Sequence, residues 1–145
     1  MKITTSAFEN NKSMPSLYTC DGVNINPPLV FGDVPGNSES LVLIMEDPDA
    51  PAGVWDHWVV FNIYPLSKEI KEGNEPLGLQ GMTSFGKTGY GGPCPHSGEH
   101  RYFFKLYALD TMLNNPAGSS KKDLERAMQG HIITEAELIG LYNRK

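Results

Sequence analysis

Three stretches of the chain carry long apolar runs, and their patterning predicts the central strands. Ser40 to Asp47 (SLVLIMED) is apolar almost throughout until it meets charge at its end. Trp55 to Tyr64 (WDHWVVFNIY) alternates with period two. That places His57, Val59, Phe61 and Ile63 on one predicted face and Trp58, Val60, Asn62 and Tyr64 on the other. Arg101 to Asp110 (RYFFKLYALD) sets Tyr102, Phe104, Leu106 and Ala108 on one face, with Phe103, Tyr107 and Leu109 opposite. Strands that are apolar on both faces need cover on both faces. A sheet buried by a second sheet plus short helices meets that demand.

One helix is predicted after Ser119 or Ser120, either of which caps it, with Asp123 in the first turn. Leu124, Ala127 and Met128 form its apolar stripe, and Gly130 is placed to end it. The closing segment, His131 to Arg144, supports two local readings. Thr134-x-x-Glu137 with Ile133 and Leu138 reads as a capping box with a hydrophobic staple. Ile132, Thr134, Ala136, Leu138, Gly140 and Tyr142 also alternate as one face of a strand, and Gly140 leans towards strand or bend. Fifteen glycines and eleven prolines punctuate these elements, as expected of a sheet-rich fold with many turns. There is no repeat, low-complexity tract or linker, so residues 1–145 are expected to form a single domain.

Composition narrows the function classes. A net charge of −5 with twelve scattered basic residues argues against nucleic acid as a partner. A single anion site is still allowed, because a local field can oppose the net charge. No apolar run approaches the roughly 18 residues of a membrane span. Met1-Lys2-Ile3 passes straight into Thr4, Thr5 and Ser6 with no apolar signal-peptide core, so a cytoplasmic location is expected. In a reducing compartment Cys20 and Cys94 are most simply free thiols, while export by another route would allow a disulfide between them.

Gly81 to Thr88 (GMTSFGKT) matches the phosphate-binding loop pattern G-x-x-x-x-G-K-[ST] letter for letter. That loop works because a helix begins at the Lys and aims its N–H groups at the phosphates. Here Gly-Tyr-Gly-Gly-Pro-Cys-Pro follows, which cannot open a helix, so the match is set aside.

Two polar clusters carry the candidate chemistry. The first is Asp47-Pro48-Asp49-Ala50-Pro51, followed by Trp55, His57 and Trp58. The second is Tyr90-Gly-Gly-Pro-Cys-Pro95, then His100, Arg101 and Tyr102. Singly, each has a structural explanation: Asp and Pro favour turns, and a lone His or Tyr is more often a packed residue than a ligand. Together they place an acid pair at one strand end and a His at the start of each of two other strands. Imidazolium donors and backbone N–H groups from a Gly-rich loop suit a small oxyanion. The carboxylates would repel a dianion, so a monoanion, or a proton shared with a ligand oxygen, is expected. Pro48 and Pro51 bracket a sharp excursion, which raises the expectation of a cis Ala50–Pro51 bond. Cys94, His96, His100, His57 and the Asp pair also supply ligand types for a metal-dependent or acid–base hydrolase, the competing reading.

DPDAP, DHWVVFNI and GYGGPCPHSGEHRYFFKLYALD, in this order, resemble the phosphatidylethanolamine-binding protein family. The similarity is to its short bacterial and archaeal branch, related to the Raf kinase inhibitor proteins. LYTCDGVNINPPLVF and GHIITEAELIGLYNRK extend it over nearly the whole chain. The resemblance implies a mainly β fold, a β-sandwich with a large antiparallel sheet, a smaller sheet and few short α-helices. It also implies that the closing segment is a strand. It puts ligand binding on Asp47, Asp49, His57, Gly92, His100 and Tyr102, with Pro51, Trp55, Pro93 and Cys94 forming the pocket wall. Phosphate or a phospholipid head group is the implied ligand, regulation rather than catalysis the implied role, with no cofactor and no metal. A homodimer is plausible by the same likeness. Eukaryotic members often have a second Pro at the place of Cys94 and a C-terminal helix over the pocket. A more open pocket is therefore expected here.

Overall fold

The computed structural model describes residues 1–144. Nine strands form two sheets: β1 (Lys2–Thr4), β2 (Lys12–Ser13), β3 (Leu29–Gly32), β4 (Ser40–Asp47), β5 (Trp55–Ile63), β6 (Glu69–Ile70), β7 (Leu79–Gln80), β8 (Glu99–Leu109) and β9 (Ile132–Asn143). The large sheet has the order β2-β9-β8-β4-β5-β7 and the small one the order β1-β3-β6. Every pairing is antiparallel except β2 with β9. The architecture is therefore the mainly β, two-sheet arrangement that the resemblance implies.

All eight residues of β4 are buried, because the strand lies between β5 and β8 with both faces covered. Leu41, Leu43 and Met45 face a core shared with Trp58, Tyr102, Phe104 and Leu106 and closed by Leu29, Phe31 and Ile70 of the small sheet. Val42 and Ile44 face a second core with Val59, Phe61, Leu113, Leu124 and Met128. Full burial of each such side chain contributes about 1.5–3 kcal/mol, so these two layers dominate the favourable side of folding.

The helix α1 (Lys121–Met128) supplies Leu124 and Met128 to the second core. Ser120 caps it, its Oγ accepting from the Asp123 N–H at 3.2 Å, a contact worth about 1 kcal/mol. Gly130 then takes φ +80°, the left-handed conformation that ends a helix most cheaply at glycine. Both features follow the expected boundaries.

The capping-box reading of the closing segment is overturned. β9 pairs with β8 from Glu99↔Asn143 to Leu109↔Ile132, and this ladder outweighs a local helix-start signal. Gly140 is opposite Tyr102, and an added Cβ there would come within 2.5 Å of Met14 Cγ. The glycine admits the Met14 side chain against the sheet.

The period-two reading of β5 needs correction at both ends. Between Met45↔Trp58 and Glu46↔Asp56 the partner strand advances one residue while β5 advances two, so His57 is an extra residue in a bulge. A second irregularity lies between Leu41↔Ile63 and Leu43↔Val60. There Asn62 takes φ +53°, which asparagine tolerates, and bridges to Leu113 through two 2.8 Å hydrogen bonds. Val59 and Phe61 thus face the helix side, while Ile63 joins Trp58 and Val60 on the other. Alternation cannot anticipate this, because a bulge breaks the period without altering its flanks.

Two further expectations fail. Cys20 and Cys94 form a disulfide, with Cα atoms 5.4 Å apart although they stand 74 positions apart in sequence. Nothing local to either cysteine shows that the chain brings them together. There are no cis peptide bonds among the described residues, so Ala50–Pro51 is trans. The phosphate-loop match folds back on itself, with a Met82↔Thr88 bridge and the Thr83 N–H on Lys87 O at 3.0 Å. No helix begins at Lys87 or Thr88.

Candidate functional site

The bulge in β5, the start of β8 and the end of β4 meet at one end of the large sheet. His57 enters from the bulge, and a bulge beside a site re-aims a side chain that regular pleating would send elsewhere. Its ring lies edge-on to Tyr102, centroids 5.3 Å apart. On the other side His100 stacks on Tyr102 at 6.4 Å with a 23° interplanar angle. Tyr102 therefore stands between the two imidazoles, and Asp47 holds one of them.

Asp47 Oδ2 is 2.7 Å from His100 Nδ1, with both side chains buried. A carboxylate is acceptor-only, so the ring donates its Nδ1–H and presents Nε2 elsewhere. The other oxygen, Oδ1, accepts from the Asp49 N–H at 2.8 Å, which stabilises the Asp47-Pro48-Asp49 turn. His57 is fixed differently: its Nδ1 lies 2.7 Å from the Gly91 carbonyl, so it donates there. Burial lowers the His57 pKa from 6.5, against the opposing pull of that carbonyl and of the Asp47 charge. The lowering favours the neutral ring, in which Nε2 is the acceptor. Both rings are anchored to the protein through Nδ1.

The Tyr102 side chain is fully buried, and its hydroxyl has no hydrogen-bond partner. Burial and the neighbouring carboxylates of Asp47 and Asp49 push its pKa far up, so it stays a neutral phenol. An unpaired buried hydroxyl costs about 1–3 kcal/mol. Asp56 Oδ1 and the Gln80 carboxamide also lack hydrogen bonds, but only Tyr102 touches both imidazoles.

The remaining expected residues divide. Asp49 sits at the turn, held by Arg101 in a bidentate pair: Nε to Oδ2 and Nη2 to Oδ1, both 2.9 Å. The guanidinium draws the Asp49 pKa down to about 2. Gly92 does line the loop, but its N–H already donates to Asn24 Oδ1 at 2.8 Å. A Cβ at Gly92 would lie 2.1 Å from Tyr18 O, so this position admits only glycine. Trp55, 37% exposed, is at the rim, and Pro51 is exposed in the preceding turn. Pro93 is buried, while Cys94 is exposed and tied to Cys20.

Sequence reasoning missed Phe85 and Asn24. Phe85 packs edge-on against both His57 and Trp55, at 5.3 and 5.5 Å, from within the rejected phosphate-loop match. Nothing local in the sequence signalled it; in the fold Gly91 makes room for it, since a Cβ there would meet the Phe85 ring at 2.3 Å. Asn24 has φ +65° and gave no signal beyond its residue type. Among the described residues no cluster of three or more His, Cys, Asp or Glu is arranged to hold a metal ion. A cleft of about 570 Å³ lies elsewhere, between β1 and β9, lined by Ile3, Thr5, Phe8 and Leu138. It lacks the paired acid–imidazole chemistry.

The sequence model of the phosphatidylethanolamine-binding protein family matches residues 4–143. A UPF0098 protein of Methanothermobacter thermautotrophicus is 54% identical over 150 residues, covering 99% of each chain. A UPF0098 protein of Chlamydia trachomatis is 45% identical over 149 residues, again covering 99% of each. Among solved structures, a phosphatidylethanolamine-binding protein homologue from Chlamydia trachomatis superposes with a TM-score of 0.96 at 44% identity, covering 99% of this chain and 97% of that one. E. coli YbcL, described as a new member of the mammalian family, gives a TM-score of 0.91 at 28% identity, covering 99% and 98%. With matching sequence over nearly its full length, matching two-sheet architecture and relatives in bacteria and archaea, this chain belongs to the phosphatidylethanolamine-binding protein family.

Proposed function

We propose that the protein binds a small oxyanion, phosphate or a phosphorylated head group, between His57, His100 and Tyr102, and that it regulates rather than catalyses. One observation carries the reading: a buried phenol with no partner stands between two imidazoles whose Nδ1 atoms are both already committed. Such a group is retained at a cost unless a ligand completes it. The Tyr102 hydroxyl donates to one ligand oxygen. Neutral His57 accepts from a protonated one, which favours the monoprotonated or monoesterified anion over the bare dianion. Arg101 neutralises Asp49, removing one of the two charges that would repel the ligand.

Titration calorimetry with phosphate and phosphoethanolamine tests this. His100→Ala and Asp47→Ala should each weaken binding by about tenfold or more, the scale of a lost charge-assisted hydrogen bond. Unchanged affinity in both variants removes these residues from the site.

A hydrolase remains the second reading, favoured by the buried Asp47–His100 pair, which is the orienting half of an acid–base dyad. Cys94 is oxidised and unavailable as a thiolate ligand, which weakens its metal-dependent form. Turnover of phosphomonoesters or phosphodiesters, abolished by His100→Ala, would promote it above binding. A homodimer belongs to the same proposal, and light scattering checks it. The expected cytoplasmic setting stands against the Cys20–Cys94 disulfide, which suits an oxidising compartment, and cell fractionation decides between them. No helix among the described residues is long and apolar enough to cross a membrane.

A further inference from the structure

The Cys20–Cys94 disulfide joins two segments that lack regular secondary structure, and both cysteines are exposed. One of those segments, Tyr90 to Pro95, supplies the carbonyl of Gly91 that holds His57 Nδ1 at 2.7 Å. That bond decides which His57 nitrogen carries the proton and therefore whether Nε2 accepts or donates. The loop is pressed hard against its neighbours: a Cβ on Gly91 would strike Phe85, and one on Gly92 would strike Tyr18 O. The fit persists only while the loop stays closed on the Tyr18–Asn24 segment.

Several weaker links cross the same seam. Tyr90 OH donates to Tyr18 O at 2.8 Å, Gly92 N–H to Asn24 Oδ1 at 2.8 Å and Cys20 N–H to Pro93 O at 3.1 Å. Tyr142 OH and Arg144 hold Asp21, beside Cys20, from the end of β9. These contacts keep the seam in place approximately without the covalent bond. The first core reaches the seam through Tyr18 and the Tyr90 that packs against it, but neither cysteine belongs to either core.

We propose that the Cys20–Cys94 disulfide is a redox-operated clasp on the ligand site, closed and binding-competent when oxidised, loosened when reduced. The step is a two-electron exchange. A dithiol reductant attacks one exposed sulfur as a thiolate, the other sulfur leaves, and the resulting mixed disulfide is resolved by the reductant's second thiol. The products are Cys20 and Cys94 thiols and an oxidised reductant. With the clasp open, the loop keeps only its non-covalent ties, among them the Gly91 N–H on His57 O at 3.0 Å. Gly91 O then holds the His57 ring in one tautomer only part of the time, and the competent state becomes a minor one. This rests on the anion-binding reading, and the test separates the two.

The oxidised protein, the protein reduced with dithiothreitol and a Cys20→Ser/Cys94→Ser variant are compared for phosphoethanolamine binding by calorimetry. In parallel, the His57 tautomer is read from ring nitrogen chemical shifts, and Gly91 and Gly92 by amide hydrogen exchange. If the open loop is competent about a tenth of the time, apparent affinity falls about tenfold on reduction and returns on reoxidation. The two glycine amides exchange faster and the His57 signals average between tautomers. Equal affinity in all three forms overturns the clasp and leaves the site intact. No binding in any form overturns the site reading; unchanged ring and amide signals then overturn the clasp as well. Global unfolding on reduction, seen by circular dichroism, also overturns it, because the bond is then a staple of the fold.

Discussion

Two polar clusters lie back to back across the same end of β4, β5 and β8, and they are built on opposite principles. On the helix side, Lys121 Nζ is 2.8 Å from Asp56 Oδ1 and 3.8 Å from Glu46, which also meets Lys105 at 3.2 Å. The Asp56 contact is an ion contact off the hydrogen-bonding direction, yet each charge in the group faces an opposite one. Burial alone would lower the Lys121 pKa, but Asp56 and Glu46 outweigh it and raise it. On the other side, Tyr102 stands between His57 and His100 with its buried hydroxyl unmatched. A cluster in which every charge meets its opposite fixes structure; the other keeps a buried hydroxyl unpaired between two imidazoles. The contrast explains why two equally polar groupings at one sheet end read so differently.

Breaking the saturated cluster should have the largest effect on stability. Lys121→Ala strands the largely buried Asp56, while Glu46 keeps Lys105, and should cost about 3 kcal/mol in urea unfolding, with phosphate affinity unchanged. A loss of affinity without loss of stability would reverse the assignment of the two clusters.

Tyr102→Phe sharpens the comparison from the other side. It deletes a buried hydroxyl that has no partner, so thermal stability should hold or rise by up to about 1 kcal/mol, while phosphate binding weakens several-fold. A fall in stability would mean that the hydroxyl is structurally paired.

A pH series separates the clusters again. The His57 pKa is lowered in the folded protein, so the unfolded chain binds the proton first as pH drops. The stabilisation from neutral His57 is therefore full above pH 6.5 and is lost as pH falls below it towards the folded pKa. Urea midpoints between pH 5 and pH 8 should show that slope, and His57→Gln should flatten it.

The smallest effect belongs to Asp49→Asn. Its partner Arg101 is more than half exposed, so the ion pair is screened by solvent and salt. Its folded pKa is depressed to about 2, so its contribution exists above 3.8 and vanishes as pH falls through 2. Unfolding midpoints in high salt should be indistinguishable from the parent, and a large loss there would mark Asp49 as part of the buried site.

Much of this was legible in the residues. The apolar run 41–45, the helix with its Ser120 cap and the faces of Tyr102, Phe104 and Leu106 all follow from spacing over a few positions. So did the identity of the acids, imidazoles and phenol that meet at the sheet end, once ordered motifs joined them to a family. The His57 bulge, the Arg101 grip on Asp49 and the engagement of Gly92 by Asn24 were not legible.

The sequence by itself determined which segments must be buried and which side chains carry chemistry, because hydrophobicity and residue type act locally and leave a periodic trace. The tertiary structure alone decided which donors stay free, which cysteines meet and where the β5 period breaks. Those outcomes depend on partners as many as 74 positions away, such as Cys20 and Cys94, and no local pattern encodes the distance between them.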